Sequence, residues 1–116
     1  MKAKLVAFGC IKINGKTYEE DVVIEQGEVK RRKKKASKPY RKAYGHTPLS
    51  AEEPIPWNCK RLVIGTGMYG RLPVMDAVHD EAKARGVKLV VCPTDEACAL
   101  LSKDPADTNA ILHVTC

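Results

Sequence analysis

Aromatic residues are scarce in this chain: one Trp, one Phe and four Tyr among 116 residues. Platforms for stacked bases are therefore few, and no RRM, KH or helix-turn-helix pattern is present. No apolar run approaches the ~18 residues of a membrane span. The apolar part of Met1–Phe8 is too short for a secretory signal and is soon followed by Lys12. No Cys-x-x-Cys occurs, and Cys92 and Cys98 stand at no zinc-ligand spacing. The five cysteines are an odd number, which points to free thiols, a reducing compartment and a cytoplasmic location. Gly-x-Ser-x-Gly is absent, so an α/β-hydrolase elbow is excluded. The Gly-Lys-Ser/Thr ending of a P-loop is absent too. The sequence thus names no reaction, no cofactor and no metal.

What is present is one domain's worth of chain with a lopsided charge. The net charge is +6, and nine basic residues lie between Val29 and Lys42: Lys30, Arg31, Arg32, Lys33, Lys34, Lys35, Lys38, Arg41 and Lys42. The rest of the chain holds 11 basic and 14 acidic residues, so the whole positive balance sits in this block. The plain reading is a solvated strand edge and loop, where lysines block edge-to-edge pairing. The functional readings are an acidic partner, a small anion, or nucleic acid held through counterion release. The length predicts a single domain over residues 1–116, expected as a monomer or weak homodimer.

The first half reads as β. Phe8 to Ile13 alternates, with Phe8, Cys10 or Ile11, and Ile13 as candidates for its buried face. Asn14-Gly15 follows, the strongest short hairpin signal because both turn residues take positive φ. One return strand is expected over Thr17–Glu25 and a third from Val29 to Arg32. Four prolines then break regularity between Ala36 and Asn58, with Ser50 and Glu53 spaced for a capped helical turn. Trp57 reads as a packing anchor.

The second half reads as α/β. Arg61–Ile64 is a buried strand that feeds Gly65-Thr66-Gly67-Met68-Tyr69-Gly70. A helix is expected from Pro73 to Arg85 with Gly86 at its C′ position. Val87–Cys92 is the next strand, Thr94 caps a helix that carries Asp95 and Glu96 in its first turn and runs to about Lys103, and Asn109–Thr115 is a closing strand. Gly65-x-Gly67-x-x-Gly70 lies between strand and helix, where such a pattern can cradle a phosphate. About 60 residues precede it, no acidic residue follows at the second strand's end, and only ~50 residues remain, which argues against a full dinucleotide fold. The alternative is a tight turn that needs glycine for its shape.

Taken together, Arg31-Arg32 after an N-terminal hairpin, Leu62-Val63-Ile64-Gly65-Thr66-Gly67-Met68-Tyr69-Gly70, Pro93-Thr94-x-Glu96-Ala97 and Ile111-Leu112-His113-Val114-Thr115-Cys116 look like one family. The chain resembles the Mth-domain family of small uncharacterised proteins, also called the adipogenesis-associated domain family, which includes a mitochondrial complex I assembly factor. The resemblance covers nearly the whole chain. It implies a single α/β domain with a mixed central sheet, flanking helices and an N-terminal antiparallel hairpin. It also implies no established reaction, with members acting through partner contacts. The chain departs from the family pattern at Gly45-His46-Thr47-Pro48-Leu49 and in the short stretch Ser50–Glu53.

The leading expectation is a domain that binds a protein partner or small anionic ligand. Its candidate site comprises Gly65, Thr66, Gly67, Tyr69, Gly70 and Arg71, with Arg31, Arg32, His113 and Cys116. The alternatives are an enzyme using Thr66, Tyr69 or His113 in the same cleft, and nucleic-acid binding through residues 30–42.

Overall fold

Asn14 and Gly15 take φ of 51° and 85°, and this left-handed turn folds the N-terminal chain back on itself as the hairpin signal requires. The computed structural model describes residues 1–116. Its strands are β1 Ala3–Ala7, β2 Cys10–Ile13, β3 Lys16–Tyr18, β4 Val22–Glu25, β5 Glu28–Arg31, β6 Arg61–Thr66, β7 Lys88–Cys92 and β8 Thr108–His113. Its α-helices are α1 Arg41–Tyr44, α2 Asp76–Ala84 and α3 Thr94–Lys103. A small antiparallel sheet has the order β1-β2-β3, and a five-stranded sheet has the order β5-β4-β8-β6-β7. In the larger sheet β5, β4 and β8 pair antiparallel, while β8, β6 and β7 pair parallel. The architecture is the mixed α/β domain that the sequence predicts.

Alternation along the central strands divides the core in two. Val22, Ile24, Val63, Ala110, Leu112 and Val114 face α3 and the small sheet, where Ile11, Ile13, Ala97 and Leu101 join them. Val23, Leu62, Ile64 and Ile111 face the opposite way, against Val78 of α2 and Leu49, Ile55 and Leu72 of the connecting segments. A period of two thus splits each strand between two cores.

Several expected elements change. The single return strand is two strands in different sheets, broken at Glu19-Glu20-Asp21. Asp21 is buried there and bonded to three partners, so the chain turns around it instead of continuing the hairpin. β1, which the sequence reading did not assign, pairs with β2, and Phe8 lies exposed in the turn between them, whereas Ile11 and Ile13 are the buried pair. The basic block after β5 winds into a 3₁₀ turn, Lys35–Tyr40, running directly into α1. Residues 51–53 form a turn and not a helix; Ser50 and Glu53 instead bond into the interior. α2 starts at Asp76 and not at Pro73, because Leu49 and Val74 form a parallel bridge that keeps the preceding segment extended. Gly86 takes the expected place after α2, with φ of 67°. Trp57 is half-buried against the second core, with the Arg85 guanidinium 5.4 Å from its ring centre.

Candidate functional site

The glycine loop is tied to its own chain through six consecutive amides. Gly67 N–H donates to Thr94 Oγ1 at 2.8 Å. The amides of Met68, Tyr69, Gly70, Arg71 and Leu72 donate to the carbonyls of Thr115, Cys116, Gly67, Cys116 and Thr66. A phosphate cradle needs free amides, and all six of these are spent within the protein, three of them on the segment that follows β8. Glycine is required here for shape. A Cβ on Gly67, whose φ is +104°, would come within 2.4 Å of the Cys116 carbonyl carbon, and one on Gly65 would meet Thr94 Oγ1 at 2.8 Å. Thr94 Oγ1 also donates to His113 O at 2.6 Å, so one hydroxyl joins loop, helix and closing strand. The cap of α3 is therefore Pro93, and Thr94 lies one position inside.

Arg32 anchors a buried ionic network. Its Nε and Nη2 donate to Glu53 Oε1 and Oε2 at 2.9 and 2.8 Å. Its Nη1 donates to Asp21 Oδ2 at 2.9 Å, and its Nη2 also to Pro48 O at 3.1 Å. Ser37 donates to Glu53 and pairs with the Ser50 hydroxyl. The fork geometry of guanidinium against carboxylate makes these charge-assisted bonds strong and directional. Burial lowers the Arg32 pKa, but Glu53 and Asp21 more than reverse this, so the side chain stays charged.

Asp21 continues the network to His113. Its Oδ2 lies 2.7 Å from His113 Nδ1, its Oδ1 accepts from Val114 N at 3.0 Å, and His113 Nε2 lies 3.1 Å from Thr115 Oγ1. Burial pushes the Asp21 carboxyl up, yet the His113 contact, the Val114 amide and the Arg32 charge outweigh it and bring it to about 2. Asp21 is thus a carboxylate at neutral pH.

Above this network opens a cavity of about 610 Å³. Its lining is Arg32, Lys34, Lys38, Arg41, Gly45, His46, Thr47, Arg71, Leu72, His113, Thr115 and Cys116. No acidic side chain lines it. Arg32 forms part of the wall, but Asp21 and Glu53 balance its charge. Lys34, Lys38, Arg41 and Arg71 remain as a convergent set of cations.

Of the ten sequence-derived site residues, the fold brings Arg32, Arg71, His113 and Cys116 to this cavity. Gly65, Thr66, Gly67, Tyr69 and Gly70 lie outside its lining. Thr66 is buried and donates to Cys92 O at 3.1 Å. Tyr69 is exposed beside Phe8, with ring centres 6.2 Å apart. Arg31 is exposed and pairs with Glu20 at 3.2 Å. Sequence reasoning missed Asp21, Glu53 and Ser37 as network members and Thr115 as a pocket residue. The only available signal was acidic residues flanking the basic block, and nothing local says which of them is buried.

Fold and site together define a small α/β domain with a cationic pocket and no assigned reaction. The chain belongs to the family described as a protein of unknown function (DUF498/DUF598), whose sequence profile matches residues 4–102. This is a Mth-type domain family of uncharacterised proteins. Among solved structures, a conserved hypothetical protein from Pyrococcus horikoshii is 31% identical, with 100% of both chains covered and a TM-score of 0.81. MT938 is 23% identical over 98% of this chain and 97% of its own, with a TM-score of 0.71. A Mth938-like domain protein from Bordetella pertussis is 18% identical over 96% and 85%, with a TM-score of 0.57. The last two show the fold alone. No curated protein matches the chain. No helix is long and apolar enough to cross a membrane.

Proposed function

We propose that the chain binds a small anionic ligand, with phosphate or carboxylate groups, in the cavity between the 3₁₀ turn, Arg71 and the end of β8. The observation that carries this reading is the convergence of Lys34, Lys38, Arg41 and Arg71 on a concave space with no acidic side chain in its wall. Bringing four cations together costs electrostatic repulsion, and an anion in the cavity relieves it. The volume of about 610 Å³ suits a small molecule. A basic face that tracks a nucleic-acid backbone would be an extended groove, whereas these side chains gather around a pit. On this reading the ligand sits beside the glycine loop and not within it.

The test is calorimetric titration with pyrophosphate at low and high salt. Arg41→Glu and Arg71→Glu should each weaken binding about tenfold or more, as expected for losing one charge-assisted contact. Arg31→Glu, outside the cavity, should leave affinity unchanged. Absence of pyrophosphate binding at low salt, or equal affinity in all three variants, would sink the proposal.

A further inference from the structure

The end of β8 places more than charge in this cavity. β8 ends at His113, and the alternation of its faces continues beyond it, with Val114 buried in the first core between His113 and Thr115. Both His113 and Thr115 line the cavity. Asp21 Oδ2 is 2.7 Å from His113 Nδ1, and His113 Nε2 is 3.1 Å from Thr115 Oγ1. Asp21 is held from other sides by Arg32 and by the Val114 amide, so its position does not depend on His113. As an ionised carboxylate it can only accept, which places the proton of a neutral imidazole on Nδ1. Nε2 is then left with its lone pair toward the Thr115 hydroxyl. Carboxylate, imidazole and hydroxyl in this order are the parts of a nucleophilic relay.

We infer that Asp21, His113 and Thr115 form a proton relay that makes the Thr115 hydroxyl a nucleophile toward a carboxylic ester bearing a second, anionic group. The anionic group is the part of the inference that rests on the cavity reading above; the relay itself does not. In the first step Thr115 Oγ1 bonds to the ester carbonyl carbon and its proton passes to His113 Nε2. The C–O bond to the leaving alcohol then breaks, and that oxygen takes the proton from His113. In the second step water attacks the acyl-threonine carbonyl, and its proton passes through His113 to Thr115 Oγ1. A carboxylic acid is released, one water is consumed and nothing is oxidised or reduced. Arg71 and the lysines hold the anionic end and oppose the charge that develops on the carbonyl oxygen. Asp21 is a positioning residue, since it acts through His113.

Two activated esters test this: neutral 4-nitrophenyl acetate and anionic mono-4-nitrophenyl succinate. Nitrophenolate release and the acylated peptide are both recorded. The expected result is an acyl group on Thr115 and release about 100-fold slower in Thr115→Val, in line with the usual scale of general base catalysis. Thr115→Ser should restore acylation, which a purely structural hydroxyl contact would not require. His113→Gln should lose it. Asp21→Asn should lower kcat for the succinate ester with KM unchanged, and circular dichroism checks that each variant is folded. Acylation confined to lysines or Cys116, or equal release by folded Thr115→Val, would overturn the inference. Pyrophosphate binding without acylation of Thr115 by either ester would overturn the relay and leave the anion pocket standing. Acylation of Thr115 by the acetate ester in a protein that binds no pyrophosphate would support the relay and remove the anion pocket.

Discussion

Replacing Arg32 by Met separates a structural arginine from a ligand-binding one. The side chain is 1% exposed, and four of its N–H groups donate to Glu53, Asp21 and Pro48. Methionine fills much of the volume but leaves two buried carboxylates without their cation. Removing one partner of a buried ion pair costs about 3–5 kcal/mol, because the remaining charge is uncompensated. A domain of this length has a total stability of roughly 6–17 kcal/mol, so the variant should fold but lie close to its limit. The corresponding fall in Tm is roughly 10–25 °C. Urea unfolding followed by circular dichroism is the assay, with a lower midpoint at unchanged slope as the expected form. Arg32→Lys should lose most of the same stability, since an ammonium cannot span the two oxygens of Glu53 and reach Asp21 as a planar fork does. Arg31→Met is the control: that side chain is exposed and its pair with Glu20 is a surface contact. If Arg32→Met cost no more than Arg31→Met, the buried network would not contribute to stability, and Arg32 would be free to serve a ligand as the sequence suggested.

Two further predictions concern the same framework. Asp21 titrates at about 2 in the folded protein against an ordinary 3.8, so its folded pKa is depressed. The stabilisation, about 2 kcal/mol, is present above the ordinary value and is lost as the pH falls from about 4 toward 2. Thermal unfolding of wild type and Asp21→Asn from pH 6 to pH 2 should show a gap that narrows over that window; a constant gap would contradict the assignment. Gly67→Ala forces a Cβ against the Cys116 backbone at a φ of +104°, whereas Gly27→Ala, at φ of +80°, meets nothing within 4 Å. The second should cost about 1 kcal/mol for its left-handed backbone alone, and the first clearly more, with chemical unfolding as the measure and equal losses as the contrary result.

Much of the architecture could be read from local pattern. Asn14-Gly15 specified its turn because few residue pairs accept two positive φ values. The expected strands Arg61–Ile64 and Val87–Cys92 showed themselves as short apolar runs and fall on β6 and β7, and α3 with its acidic first turn was visible to within one residue of its start. The expected helix over Pro73–Arg85 holds α2, whose buried residues Val78 and Ala82 stand at helical spacing. Those features depend on neighbours within one turn of chain. The break of the return strand at Asp21 does not, because its cause lies 92 residues away at His113.

The candidate site divides in the same way. The sequence by itself determined that the positive charge is concentrated in residues 30–42 and that a glycine-rich segment links the Arg61–Ile64 strand to the next helix. It also set His113 and Thr115 two apart in an expected closing strand, which the fold ends at His113. Only the tertiary structure decided which cations are spent and which are free. Arg32 is neutralised because the fold carries Asp21 and Glu53 to it, while Lys34, Lys38 and Arg41 line, with Arg71, a cavity that has no acidic side chain. It likewise decided that the glycine-loop amides are spent within the protein, three of them on Thr115 and Cys116. A charge or a backbone amide has the same local sequence whether or not a distant partner satisfies it, and burial of that partner is set by the packing of the whole domain.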